Sequence, residues 1–172
     1  MNASTMSTIR FTEMDTPIGT MRICGTKKGL TGLFMEVHRH GPEDSDQLDW
    51  QRDDALFAEA RAQLADYFAG RRTTFNLALD REALGGTPFQ RRVWQELEKI
   101  PYGATISYGE LAKRIDNPAA VRAVGLANGK NPISIIVPCH RVIGANGSLT
   151  GYGGGMERKR WLLDLESGGG LF

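Results

Sequence analysis

Short apolar runs alternate with polar and turn-forming residues over the first quarter of the chain. Segments 9–14, 20–24 and 30–37 each read as a β-strand, and Thr16-Pro17-Ile18-Gly19 and Lys28-Gly29 supply turns between them. The pattern predicts a small antiparallel meander. Residues 38–52 are polar and rich in Asp, Gly and Pro, after which Phe57, Ala60, Leu64, Tyr67 and Phe68 fall at helical spacing. That spacing predicts a helix over 53–68, with Asp53 and Asp54 at its positive end and Gly70 able to close it. A strand over 74–79 follows. The next polar run ends in Gly85-Gly86, which reads as a junction dividing the chain into residues 1–85 and 86–172.

The second half carries helical signals. Thr87-Pro88-Phe89-Gln90 combines a capping threonine, a proline at the first helical position and a glutamine able to reach back to the cap amide. Phe89, Val93, Trp94 and Leu97 mark the buried face of this helix, and Pro101-Tyr102-Gly103 stops it. Ser107-Tyr108-Gly109-Glu110 offers a second capping box for a helix reaching Ile115, and Asn117-Pro118 starts a third that runs to Asn128-Gly129. Two short helices joined by a tight turn have the outline of a helix-turn-helix. In the second of them Ala119, Ala120, Ala123, Gly125 and Ala127 leave little bulk while Arg122 projects one long cation. Such a face suits close approach to a partner and equally suits helix packing. Residues 133–137 are almost wholly apolar and predict a buried strand that Pro138 ends. A last helix over 157–165 should turn Trp161, Leu162 and Leu165 inward.

Composition narrows the class. Of 172 residues, 41% are hydrophobic and 24% charged, as in an ordinary soluble globular protein. The net charge is only +1, so a nucleic-acid footprint would have to come from local clustering. Cys24 and Cys139 form no CxxC pair, which argues against a disulfide framework or zinc module and favours a reducing, cytoplasmic setting. No segment approaches the roughly 18 apolar residues of a membrane span.

Cys139 is the candidate for chemistry. A free thiol, with a pKa of about 8.5, is only a few per cent ionised near neutrality, so a neighbouring base such as His140 would raise its reactivity. Buried cysteines are often inert, and adjacency in sequence does not guarantee geometry. The setting adds weight: Asn131-Pro132 makes a turn upstream, and Gly144, Gly147, Gly151, Gly153, Gly154 and Gly155 form a downstream loop able to lie close over a flat ligand. Glu166, ending the last helix, reads either as a solvated carboxylate or as a third member orienting His140.

The run Pro138-Cys139-His140-Arg141-Val142 resembles that of the methylated-DNA–protein-cysteine methyltransferases. Gly86-Thr87-Pro88-Phe89-Gln90, Val93-Trp94, Ile100-Pro101-Tyr102-Gly103, Ser107-Tyr108, Arg122-Ala123-Val124-Gly125, Asn131-Pro132, Gly151-Tyr152, Trp161-Leu162-Leu163 and Glu166 resemble further blocks in the family's order. The resemblance implies an N-terminal ribonuclease-H-like α/β domain with a small antiparallel sheet. It also implies a mostly α C-terminal domain with a helix-turn-helix.

The resemblance further implies irreversible, one-per-molecule transfer of an alkyl group from O6-alkylguanine, and from O4-alkylthymine, in DNA to Cys139. It makes His140 the base acting through a water, Glu166 the residue orienting it, and Asn131 the brace of the turn. Tyr108 would help swing the damaged nucleotide out and protonate the leaving base, and Arg122 would fill the vacated stack. Tyr152 and the backbone at Gly153 would shape the base pocket, Ala123 and Asn128 would belong to the DNA-binding helix, and Lys159 would stand near the site. The implied partner is double-stranded DNA with alkylated bases, entered through the minor groove by a monomer, with no cofactor. Some members bind zinc in the first domain, but Cys24 lacks the companions, so no metal is expected.

Two departures bear on lesion preference and duplex affinity. Gly153 stands where some relatives carry a serine, and Asn128, Gly129 and Lys130 differ from the commoner pattern. The main alternative is a non-catalytic lesion-binding protein of related fold, which lacks the acceptor cysteine. A Cys-His hydrolase would need an oxyanion hole that the sequence does not signal.

Overall fold

The computed structural model describes residues 8–35, 41–43, 47 and 49–168. Contacts divide the chain into two compact units, one closing at Gly85 and the other opening at Gly86.

The first unit is built on the meander. Strands β1 (Arg10–Thr16), β2 (Gly19–Thr26) and β3 (Gly29–Met35) pair antiparallel in sequence order. The Thr16 hydroxyl closes the first turn by donating to the Gly19 carbonyl at 2.7 Å and accepting from the Ile18 amide. Residues 36 and 37 of the expected third strand lie outside the described residues. A two-residue strand, β4 (Gln51–Arg52), adds parallel to β1, giving the order β3-β2-β1-β4. Helix α1 (Ala58–Phe68) contributes Ala60, Leu64 and Tyr67 to a core that also holds Met21, Ile23 and Leu33.

Two expectations need correction here. The helix begins at Ala58 rather than at 53, because Asp53 and Asp54 are used elsewhere. Asp53 accepts from Arg10 at 2.9 Å and from the Leu56 amide, while Asp54 accepts from the Thr12 hydroxyl at 2.6 Å. The strand over 74–79 reduces to one bridge between Leu30 and Leu79. Asp80 then caps a single helical turn, α2 (Arg81–Leu84), by accepting from the Ala83 amide.

The second unit opens with α3 (Pro88–Leu97), whose capping box has both arms: the Gln90 amide donates to Thr87 Oγ1, and the Thr87 amide donates to Gln90 Oε1. Val93, Trp94 and Leu97 are buried, and the Trp94 indole donates to the Ala127 carbonyl at 2.8 Å. Strand β5 (Ile106–Ser107) runs directly into α4 (Tyr108–Arg114). Its cap has one arm only: Ser107 accepts from the Glu110 amide, whereas the Glu110 carboxylate pairs with Arg114. Helix α5 (Val121–Gly129) starts four residues after Asn117, since Pro118 and Ala119 remain in a turn that the Ala120 amide closes on the Asn117 carbonyl. Helices α4 and α5 pack together as the helical pair expected of a helix-turn-helix. Strand β6 (Val142–Ile143) pairs parallel with β5, and α6 (Met156–Glu166) closes the unit. In α6 it is Leu162 and Leu163 that are buried, while Trp161 and Leu165 are half-buried.

The buried strand over 133–137 does not form. Ile133, Ile135 and Val137 are buried as their apolarity requires, but the chain coils, with the Val137 amide donating back to the Ile133 carbonyl at 3.0 Å.

Candidate active site

Asn131 builds that coil. Its Oδ1 accepts from the Ile133 amide at 3.0 Å, and its Nδ2 donates to the carbonyls of Val137 at 2.8 Å and Ile133 at 3.3 Å. The backbone groups that a sheet ladder would have satisfied are thus met by one buried side chain. Ile135 is held at a φ of 71°, a left-handed conformation that costs a β-branched residue energy and persists only because its surroundings impose it. The coil delivers Cys139 to the start of a single 3-10 turn, Cys139–Arg141. Cys139 is buried, and its carbonyl accepts from Asn128 Nδ2 at 3.3 Å, which ties the turn to α5.

The same turn places His140 and Arg141 against the end of α6. His140 Nε2 lies 2.6 Å from Glu166 Oε2, and the Arg141 guanidinium reaches the same carboxylate at 2.7 and 3.0 Å. Arg141 also donates to the Ile100 carbonyl. Burial alone would push the Glu166 carboxyl up, but the bonds and charges of His140 and Arg141 outweigh it and hold the group down at about 2. An ionised carboxylate can only accept, so His140 Nε2 carries the proton and Nδ1 bears the lone pair. Burial keeps the imidazole below its usual pKa, despite Glu166, so the ring is neutral near pH 7. Nδ1 is buried and has no partner among the described residues. The ring is therefore a base with its accepting nitrogen unoccupied.

Burial also raises the Cys139 thiol above its ordinary value, while the Asn131 hydrogen bond and the Lys159 charge oppose the rise. The resting group is a thiol that must lose its proton to react. Lys159, fully buried, donates to the carbonyls of Val142 at 2.6 Å and Thr150 at 2.7 Å. Desolvation brings its ammonium down to about 8, with the Cys139 thiolate acting in the opposite sense.

The Tyr108 hydroxyl donates to the same Thr150 carbonyl at 2.8 Å, and its ring lies near the Lys159 ammonium. Burial raises its pKa, and a charge on Cys139 would raise it further. Tyr152 is buried and held well above the ordinary phenol range, by burial first and by Cys139 second. Gly153, next to it, is half-buried.

The structure therefore gathers Cys139, His140, Glu166, Asn131 and Lys159, with Tyr108 and Tyr152 within electrostatic reach of the thiol. It leaves Arg122 and Ala123 exposed on α5. Asn128 belongs to the buried side of that helix, bonded to the Cys139 turn rather than facing outward. The reading of Glu166 as a solvated terminal carboxylate fails, since it is buried against two partners. Sequence reasoning gave Arg141 no specific partner, although an arginine following Cys-His in an apolar segment needs a counter-charge. The resemblance puts Lys159 near the site, and the structure buries it there. Its spacing from Leu162, Leu163 and Glu166, at three, four and seven residues, is the signal that it faces inward.

A buried cysteine on a braced turn, beside a histidine hydrogen-bonded to a buried carboxylate, is an arrangement able to support cysteine nucleophile chemistry. The comparisons specify the kind. Residues 9–81 match the ribonuclease-like domain of 6-O-methylguanine DNA methyltransferase, and residues 88–168 match its DNA binding domain. The methylated-DNA–protein-cysteine methyltransferase of Mycobacterium tuberculosis H37Rv is 53% identical over 158 residues, covering 92% of each chain. The constitutive enzyme of Bacillus subtilis is 44% identical, over 91% of this chain and 94% of its own. The crystal structure of the M. tuberculosis O6-methylguanine methyltransferase superposes with a TM-score of 0.85 at 51% identity, over 95% of both chains. A complex of the M. tuberculosis protein with DNA gives 0.84 at 52% identity, over 92% and 93%. This chain belongs to the methylated-DNA–protein-cysteine methyltransferases and has the enzyme class of that family.

Proposed function

We propose that this protein repairs O6-alkylguanine, and O4-alkylthymine, in duplex DNA by moving the alkyl group irreversibly to Cys139, one lesion per molecule. The observation that carries the reading is the buried Cys139 on its braced turn, followed by a neutral histidine whose accepting nitrogen has no partner among the described residues. In the reaction the thiol proton passes by way of a water to His140 Nδ1. The sulfur then forms a bond to the alkyl carbon as the carbon–oxygen bond breaks, and that electron pair goes to the base. The base takes up a proton as it leaves. For Tyr108 to supply that proton, its hydroxyl must release the Thr150 carbonyl. Glu166 stabilises the imidazolium that forms, and the Lys159 cation favours the thiolate.

The target carbon is inaccessible in stacked DNA, so the nucleotide is extruded through the minor groove, with Arg122 filling its place and Tyr152 and the Gly153 backbone lining the pocket. Asn128 holds α5 to the reacting turn, and Ala123 lets the helix approach closely. A thioether is a poor leaving group and the site offers nothing to displace it, so the acceptor is not regenerated. One chain carries every group named, consistent with a monomer working in the cytoplasm beside the genome. Among the described residues, no helix is long and apolar enough to cross a membrane.

Titration of the protein with an excess of methylated duplex tests the stoichiometry. Transfer should plateau at one methyl per protein chain. Continued release of repaired DNA beyond that point would contradict single use.

A further inference from the structure

Helix α5 buries Val124, Ala127 and Asn128 and turns the opposite side outward. At 3.6 residues per turn, Arg122, Leu126 and Lys130 stand four residues apart along that outward side. Leu126, at its centre, is 61% exposed, more than any other exposed large apolar residue described. The Arg122 and Lys130 side chains have no hydrogen-bond or ion-pair partner among the described residues. The helix itself contains no acidic residue. Everything else that faces outward between the two cations is small: Ala123 and Gly129 flank the leucine.

A leucine between two unpaired cations, with only small residues beside it and the exposed Val121 beyond Arg122, matches an apolar wall bordered by anions. The minor groove of a duplex is such a surface, with deoxyribose walls below two rows of phosphates. An α-helix with side chains is about 10–12 Å across, against a groove about 6 Å wide, so it enters only where the groove is forced open. Apolar side chains are the usual wedges for that deformation.

We infer that Leu126 is such a wedge: it packs against the deoxyribose walls of the substrate's minor groove, between Arg122 entering the stack and Lys130 on a phosphate. This rests on the proposed action on duplex DNA and adds a residue that sets how the duplex, rather than the base, is bound. Leu126 takes no part in the Cys139 cluster, so it should govern duplex binding alone.

The test compares wild type, Leu126→Ala and Lys130→Ala on free O6-benzylguanine and on a duplex bearing O6-methylguanine, at several salt concentrations. Leu126→Ala should react with the free base at the wild-type rate, while the duplex concentration for half-maximal rate rises about tenfold, as expected for losing most of a buried leucine side chain. Its salt dependence should match wild type. Lys130→Ala should lower the slope of log affinity against log salt by about 1. The inference is overturned if Leu126→Ala repairs duplex at the wild-type concentration or below, or if both substrates slow equally. It is also overturned if the variant changes the mass of the free protein in solution, which would assign Leu126 to contact with a second copy. Failure of wild type to take a methyl from either substrate would instead remove the proposed function, a separate reading.

Discussion

Glu166 binds His140 and Arg141 through one buried carboxylate, with Oε2 standing 2.6 Å from His140 Nε2 and 3.0 Å from Arg141 Nη2. The pairing determines which imidazole nitrogen is basic, because a carboxylate ionised down to about 2 can only accept. Replacing Glu166 by Gln removes the charge and lets the amide donate to the ring, so either tautomer becomes tolerable. Alkyl transfer measured in single turnover should slow by about 10–100-fold, the usual effect of losing such an orienting partner. Wild-type rates in folded Glu166→Gln would refute its positioning role. Arg141 would be left buried without a counter-charge, so the variant should also be less stable, by about 3–5 kcal/mol.

Stability should fall in two acid steps. Burial keeps folded His140 below its ordinary 6.5, so the unfolded chain binds the proton first and stability is lost as pH drops through 6.5. Folded Glu166 stays ionised from 4.5 to about 2 while the unfolded carboxyl protonates, removing a further contribution of roughly 3 kcal/mol over that window. Asp54 and Asp80, held low chiefly by the hydroxyls of Thr12 and Thr26, add to the second step. Denaturant unfolding from pH 8 to pH 3 should show the decline, and Glu166→Gln should flatten its lower part. A stability independent of pH between 7 and 4 would be incompatible with these assignments.

Lys159 should control the ionisation of the acceptor. With an ammonium at about 8 near a thiol raised by burial, Lys159→Met should move thiolate formation at Cys139 to higher pH. Ultraviolet thiolate absorbance, with Cys139→Ser subtracted, reads this directly. The wild-type titration curve in the methionine variant would show that the cation serves only to hold the Val142 and Thr150 carbonyls.

Arg122→Ala should impair repair of duplex substrate while leaving reaction with free O6-benzylguanine intact, because the side chain is exposed on α5 and absent from the Cys139 cluster. Equal loss on both substrates would place its effect in the fold.

Much of this architecture was legible from local rules. Short apolar runs bounded by turn residues found the three meander strands, and the Thr87-Pro88-Gln90 box found the start of α3 to the residue. The misses share a cause, which is that tertiary partners claimed groups a local rule had assigned. Asp53 and Asp54 went to Arg10 and Thr12, and a turn separates them from the helix that starts at Ala58. Residues 133–137 looked like a strand because they are buried, but Asn131 satisfies their backbone and so permits a coil. Cys139 and His140 could be picked out from the chain, and the resemblance chose between the two readings that the chain left open for Glu166. The Arg141–Glu166 pair and the burial of Lys159 depend on how the end of α6 meets the 3-10 turn. Helical spacing signals that Lys159 faces inward, but no local pattern encodes which groups it and Arg141 meet there.

The central claim is that Cys139 accepts the alkyl group and keeps it. Incubation with an oligonucleotide duplex carrying O6-methylguanine, followed by intact-mass measurement and peptide mapping, tests it most directly. One added methyl, located on Cys139 and absent from Cys139→Ser, is the predicted result. A protein that binds the duplex with unchanged mass, or carries the methyl on another residue, would contradict the account.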